Sequence, residues 1–480
     1  MKRRDFIRAM GLAAGAVVAP GCIALGTQGY PSKPNIIYIL ADDLGWAELG
    51  CYGNTFNETP NLDKLAENGI RYNRAYTTAP QCVLSRASFM TGRSTLDIRM
   101  TRFSAALHRD IISFPELLRN AGYFTGLCGR NFHLDGYERK PEEEEEVFVK
   151  YNLRTFADRV DYIKIGWDGE TIYTQFVEFM DSVPDKKPFF IQVGYSDPHR
   201  AFTAPEFEPD PEKITVPESM PDTKLLRKDL AAHIGEINRC DHDLGRILDE
   251  LDKRGLAENT LVVFMGDNGA ALLRGKGTLY EFGLNVPLIA RWPGHIKPGL
   301  VSNELISGED IALTFLEVAG ANKDGEMTGK SLVNSFQDKD FQGHDYVFAV
   351  RGSHASSLPV NSASFDLGRV IIGERYKLIY NAMWQIPYEP VDFRGQAFWK
   401  ELMEMNKNGK LDEKFSKAFF QSPRPMFEVY DLQTDPFEFN NLAGKPEIAE
   451  TEHELKAKLL EWMVLNQDYL PLPIPSSPGK

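Results

Sequence analysis

The feature that most constrains this chain is a recurring pair: a short apolar run rich in β-branched and aromatic residues, followed at once by polar ones. "NIIYIL" (Asn35 to Leu40) runs into Asp42 and Asp43, and "YFTGL" (Tyr123 to Leu127) into Arg130 and His133. "PFFIQVGY" (Pro188 to Tyr195) runs into Asp197 and His199, and "LVVFM" (Leu261 to Met265) into Asp267 and Asn268. Runs of this length and composition read as buried strands. Helical patterns lie between them. The longest spans about Leu226 to Arg254, where Leu230, Ile234, Ile237, Leu244, Leu248 and Leu251 form an apolar stripe interrupted at Asp241 and closed by Gly255. Strands alternating with helices make an α/β fold, a mainly parallel or mixed sheet with helices on its faces, and such sheets bind ligands beyond the carboxyl ends of their strands. The four polar groups are therefore expected to converge on one crevice.

The pattern changes after "VPLIARWPG" (Val286 to Gly294) and a helical stretch near Asp310 to Val318. Strand-like runs at Arg369 to Tyr380 and Met426 to Leu432 precede a final helix near Glu452 to Asn466 and a Pro-rich tail. This divides the chain into a catalytic domain over 30–340 and a smaller C-terminal α+β domain over 341–480, with an antiparallel sheet and a terminal helix. The acidic run Glu142 to Glu146 reads as a solvated loop, and no internal repeat is present.

Residues 1–29 have a basic start and a short apolar run from Met10 to Ala19, too short to span a bilayer, and read as an export signal. Arg3 and Arg4 look like a twin-arginine signal, and Ala19-Pro20-Gly21-Cys22 resembles a lipoprotein cleavage box. Membrane attachment by a lipid on Cys22 and an ordinary cleaved signal both remain open. The expected location is exported: periplasmic, an outer-membrane lipoprotein or extracellular. Beyond Cys22 only Cys51, Cys82, Cys128 and Cys240 remain, with no C-x-x-C pair, so neither a disulfide framework nor a zinc site is indicated. A formal charge of -14 argues against nucleic acid as a partner, while leaving room for a local cluster of cations that grips an anion.

Such a cluster is on hand. Asp42, Asp43, Asp267 and Asn268 supply three carboxylates and an amide oxygen, a hard-oxygen set suited to Ca²⁺, or less well Mg²⁺, and poorly to zinc. Taken alone, Asp42-Asp43 reads as a loop or capping pair rather than a metal site, and Asp267-Asn268, between Gly266 and Gly269, as an ordinary turn. Arg86, Arg130, His133, His199 and Lys276 supply cationic groups for an oxyanion; His199 alone reads as a structural histidine and Lys276 alone as a surface charge. A sulfate or phosphate group clamped between a divalent ion and these side chains accounts for both sets.

At this point the sequence resembles the type I sulfatases of the alkaline phosphatase superfamily, over nearly the whole mature chain. "CVLSRASFMTGR" is similar to the C-x-P-S-R-x-x-x-x-T-G-R signature, and "NIIYILADDLGW" and "VVFMGDNG" to the two metal motifs. "RGKGTLYEFGLNVPLIARWPG" and "VYDLQTDPFEFNNLA" are also family-like, and "SDPHR" with "CDHDLGRILDELDKRGL" looks closest to the heparan N-sulfatase branch. The resemblance implies that Cys82 is the precursor of formylglycine, made by a formylglycine-generating maturation enzyme. One hydroxyl of the hydrated aldehyde would attack sulfur and the other would later expel sulfate. It implies that Asp42, Asp43, Asp267, Asn268 and residue 82 bind Ca²⁺ and that Arg86 and His133 hold and activate the diol. Arg130, His199 and Lys276 would contact the sulfate of a sulfated saccharide, with His199 and Lys276 assisting the leaving atom.

Two positions depart from the family pattern: Leu84 stands where Pro or Ala is usual, and "GRNFHLDG" has Arg130 for Lys and one extra residue before His133. A phosphonate or phosphodiester hydrolase on the same scaffold is the second enzyme reading. A non-catalytic sulfated-glycan binding protein is the third, for the case that residue 82 stays a thiol.

Overall fold

The computed structural model describes residues 33–101, 106–135, 146, 148–337, 341–354 and 365–473. The export-signal reading, Cys22 and all of the acidic run except Glu146 lie outside the described residues; Glu146 is exposed. Lys33–Lys480 cluster as one compact unit.

The strands are β1 (Asn35–Ala41), β2 (Ile70–Tyr72), β3 (Ala75–Tyr76), β4 (Phe124–Gly129), β5 (Tyr162–Ile163), β6 (Phe189–Gly194) and β7 (Thr260–Gly266). They continue with β8 (Leu288–Arg291), β9 (Leu300–Ser302), β10 (Ile306–Ser307), β11 (Val347–Arg351), β12 (Gly368–Ile372), β13 (Tyr376–Asn381) and β14 (Phe427–Asp431). The helices used below are α1 (Pro60–Glu67), α2 (Cys82–Thr91), α3 (Phe114–Asn120), α4 (Gly169–Ser182) and α5 (Lys224–Lys253). After these come α6 (Asp310–Val318), α7 (Ala397–Lys407), α8 (Glu413–Phe420) and α9 (Ala449–Leu465).

The main sheet has eight strands in the order β5-β4-β6-β1-β7-β8-β2-β9. The run from β5 to β7 is parallel, and β8 is antiparallel to both of its neighbours. All seven residues of β1 are buried, as expected of a central strand covered on both faces. Ile37 and Ile39 face a core with Leu62 and Leu65 of α1, Phe176 and Phe179 of α4, and Ile237, Leu244 and Ile247 of α5. Tyr38, one residue out of step, points the other way and meets Phe315 of α6 edge-on at 5.5 Å, where Phe114 of α3 also packs. The break in the α5 stripe has a physical reason. Asp241 accepts the backbone N–H groups of Asn61 (3.1 Å) and Leu62 (2.7 Å), the unpaired donors of the first turn of α1.

The second sheet is antiparallel, in the order β11-β12-β13-β14, and begins at Val347. One expectation fails here: Arg369 to Tyr380 is not one strand but the hairpin β12–β13, in register from Gly368 opposite Asn381 to Ile372 opposite Lys377. Gly373 turns the chain, its N–H bonded to the Tyr376 carbonyl at 2.9 Å. One face of this sheet, with Ile371, Leu378 and Val429, buries Leu455, Leu459 and Met463 of α9. The segment between β13 and β14 goes elsewhere. Phe393, Phe398, Trp399 and Leu402 pack with Phe415 and Phe419 against Leu226, Leu230 and Ile234 of α5. That packing carries a C-terminal loop to the edge of the catalytic crevice.

Candidate active site

Strands β4, β6, β1 and β7 are parallel neighbours, so their carboxyl ends lie side by side. The turns after β1 and β7 are tied together: the N–H of Asp267 donates to the Ala41 carbonyl at 3.0 Å and that of Asp43 to Asp267 Oδ1 at 3.0 Å. Asp43 sits in the left-handed region at φ 68°, a conformation that Asp tolerates better than most residues.

Residue 82 is brought to this crevice by α2, a helix in which every residue from Cys82 to Thr91 is buried. Gly92, at φ 63°, ends it with a left-handed cap. The Cys82 Sγ lies 3.2 Å from Asp42 Oδ1 and 3.7 Å from Asp43 Oδ1. Burial, reinforced by the charges of Asp267 and Asp42, pushes the thiol well above its usual range. As a cysteine, residue 82 is therefore a protonated thiol rather than a thiolate.

Arg86, one turn along α2 and fully buried, gives Nε to Asp267 Oδ2 at 2.7 Å and Nη1 to the Arg130 carbonyl at 2.8 Å, while its Nη2 stands 3.3 Å from Asp42 Oδ2. Arg130 pairs with the same Asp42 oxygen through Nε. His133 Nδ1 lies 3.6 Å from it. His133 lies in the 3₁₀ turn Phe132–Leu134, and the Asn131 side chain before it donates to the Lys164 carbonyl at 2.7 Å. Burial works against charge on Asp42, but Arg130 and Arg86 outweigh it and hold this carboxyl well below its usual range. Asp43 and Asp267 differ: burial pushes each up to about 6, against Lys276 and Arg86 respectively, with the charge of Asp42 adding to the rise.

Lys276 reaches the cluster from the loop after β7, which is held to the approach of α2 by Gly277 N–H donating to the Pro80 carbonyl at 2.8 Å. Its Nζ bridges Asp43 (2.9 Å) and Asp392 Oδ2 (2.7 Å). Burial opposes its charge, but Asp392 and Asp43 keep the ammonium well above its usual pKa. His199 directs Nε2 at Asp43 (3.8 Å) and Asp392 (3.7 Å), while Nδ1 lies against the Arg200 carbonyl, so the proton of the neutral ring sits on Nδ1. Burial and Lys276 lower the pKa of this ring to about 4.

Ten residues singled out in the sequence thus stand in one contiguous cluster. The structure adds members that strand ends do not reveal. Asp392, in the loop anchored by Phe393, is one. His354, 3.3 Å from Gln81 Nε2 beside Cys82, is another; burial, with help from Lys276, lowers its pKa to about 3. Asp197, which also follows a strand, is engaged by α5 instead: Arg239 grips it with two hydrogen bonds of 2.8 and 2.9 Å.

The donor set fits a hard divalent cation. Asp42, Cys82, His133 and Asp267 offer ligand atoms within 4.8 Å of one another, as do Asp42, Asp43 and His199. The amide of Asn268 donates to Asp43 Oδ1 at 2.9 Å, yet its own Oδ1 is buried and accepts no hydrogen bond. An orphaned carbonyl-type oxygen beside three buried carboxylates has the chemistry that a hard divalent cation prefers.

Asp392→Asn is expected to lower kcat/KM about tenfold, because Lys276 loses one of its two carboxylates, and steady-state kinetics on an aryl sulfate checks this. Unchanged kinetics would make Asp392 a bystander.

Comparison with known proteins agrees with this geometry. The family profile described as Sulfatase matches residues 34–321, and the profile described as N-sulphoglucosamine sulphohydrolase, C-terminal, matches residues 272–394. An ulvan-active sulfatase of Formosa agariphila is 30% identical over 459 residues, covering 93% of this chain and 84% of that protein. The human N-sulphoglucosamine sulphohydrolase is 27% identical over 469 residues, covering 89% of each chain. A solved structure of a protein in complex with its substrate D-glucosamine-2-N,6-O-disulfate superposes with a TM-score of 0.68 at 20% identity, over 91% of this chain and 99% of that one, which shows a shared fold. The chain belongs to the sulfatase family of sulfuric ester hydrolases.

Proposed function

We propose that the protein hydrolyses a sulfate ester or sulfamate of a sulfated carbohydrate, using formylglycine made from Cys82 together with a divalent cation, Ca²⁺ in preference to Mg²⁺. The observation that carries this is the placement of residue 82 at the start of a buried helix, within 3.2 to 3.7 Å of Asp42 and Asp43 and ringed by Arg86, Arg130 and Lys276. The modified residue would supply the attacking oxygen, and the cation, held by Asp42, Asp43, Asp267 and Asn268, would polarise the sulfate.

The remaining groups have roles of their own. Arg86 locks Asp42 and Asp267 in place and fixes the Arg130 backbone. Arg130 and Lys276 reach residues 42 and 43 from different sides, so a tetrahedral oxyanion seated above residue 82 would meet a planar fork on one side and a point charge on the other. His133, kept neutral by burial, can take a proton near residue 82. His199, held through Nδ1, can exchange one with the leaving atom at Nε2. We also read residues 1–29 as directing export; fractionation that finds the mature chain in the cytoplasm would contradict this.

A screen of defined sulfated saccharides beside phosphodiesters and phosphonates tests the reading. Sulfate release with slower phosphodiester cleavage is expected, and the reverse order would favour the phosphonate or phosphodiester reading.

Leu84 gives a further test. It is the third residue of α2, where a helix tolerates proline because the first N–H groups have no intrahelical acceptor. Leu84→Pro should raise the fraction of residue 82 converted to aldehyde, and activity in proportion. Its apolar side chain is completely buried, so stability should fall by about 2 kcal/mol. A higher aldehyde fraction without higher activity would contradict the account.

A further inference from the structure

A cleft of about 550 Å³ opens from the catalytic cluster at Arg130 and His199 and runs outward past Trp167, Asp197, Glu236 and Arg239. Trp167 lies in the loop before α4. One side of its indole packs on Phe132, with ring centroids 4.8 Å apart, and stands 5.5 Å from the Arg130 guanidinium, yet 48% of the residue is exposed. A large aromatic surface held rigid from behind and left open toward a cleft is suited to stacking on a flat ligand face. A sugar ring offers such a face, because its axial C–H groups carry partial positive charge and meet the negative face of the indole.

The charges of the cleft narrow the choice of sugar. Arg239 is taken up by Asp197, by Glu236 at 2.6 Å and by the Thr203 hydroxyl at 3.1 Å; Arg200 is paired with Asp229. At the outer end Arg246 is paired with Glu170 at 2.7 Å and lies 3.8 Å from Asp243, which His242 also meets at 3.2 Å, while Asp168 accepts the Thr171 N–H at 2.9 Å as the cap of α4. Beyond Arg130, every arginine lining the cleft among the described residues is matched by acidic groups. A second sulfate or a uronate there would meet carboxylates and find each of these arginines already engaged, whereas neutral hydroxyls can donate to the remaining lone pairs of those carboxylates.

We propose that this cleft is a subsite for a neutral sugar residue adjoining the sulfated one, with Trp167 as its stacking platform. The inference rests on the carbohydrate reading above. It makes the substrate a chain of at least two sugars and Trp167 a determinant of its recognition.

Calorimetric titration of Cys82→Ala protein, which has no attacking atom at residue 82, with glucosamine N-sulfate, alone or extended by a glucose or a glucuronate residue, tests this without turnover. The glucose-extended probe should bind about fivefold tighter than the unextended one, and the glucuronate-extended probe no tighter. Adding Trp167→Ala should bring the glucose-extended to unextended ratio to about one, and Trp167→Phe should retain part of it. A ratio unchanged in the Trp167→Ala protein, no measurable binding of any probe, or a preference for glucuronate would each overturn the subsite. Binding that follows the predicted pattern in a protein whose wild-type form releases no sulfate would sink the hydrolase reading and leave the subsite standing.

Discussion

Replacing Asp267 with alanine is expected to lower kcat/KM by about a thousandfold or more, because the loss falls on the cation and on Arg86 together. Asp267 Oδ2 is 2.7 Å from Arg86 Nε, and Oδ1 accepts the Asp43 N–H at 3.0 Å. Removing the carboxylate leaves a fully buried guanidinium short of its partner, which costs about 3–5 kcal/mol. It also takes one of three carboxylates from the proposed cation seat. Asp267→Asn separates these effects from simple unfolding, since the amide keeps an acceptor for the Asp43 N–H while losing the charge. Metal content, measured on the purified variants, should fall with activity. Full activity of Asp267→Asn in a chelator-stripped preparation would remove the cation from the mechanism.

The second large effect is expected at residue 82 itself. Cys82→Ser should fold and bind metal like the wild type, because a hydroxyl can make the same contacts to Asp42 and Asp43 that the thiol makes at 3.2 and 3.7 Å. It should nevertheless release at most one equivalent of product per protein. A serine oxygen can attack sulfur once, but it lacks the second hydroxyl that expels sulfate. Thermal denaturation and a pre-steady-state product count check the two halves of this expectation separately. Sustained turnover by the serine variant would mean that release of sulfate does not depend on a geminal hydroxyl.

Much of this site was legible in the sequence, and for a definite reason. A buried parallel strand must be apolar along its length, so the first polar residues after it mark its carboxyl end, and Asp42, Asp43, Asp267, Asn268, Arg130 and His199 were all placed by that rule. The same rule overreached at Asp197, because strand ends say nothing about which neighbour a side chain will choose, and Arg239 of α5 claims that carboxylate. Asp392 was out of reach. It follows no strand, it lies more than a hundred residues beyond Lys276, and only the packing of Phe393, Phe398 and Trp399 on α5 brings its loop to the crevice. The β12–β13 hairpin reads as one strand for a simpler reason: its turn at Gly373 interrupts two apolar runs so briefly that periodicity alone does not separate them.

The central claim is that residue 82 works as an oxidised cysteine. Its most direct test is mass spectrometry of the peptide containing residue 82, made on the same sample in which hydrolysis of an aryl sulfate is measured. The account predicts an aldehyde at residue 82, with turnover proportional to the aldehyde fraction across preparations. Rapid hydrolysis by protein in which only intact thiol is found at residue 82 would contradict it.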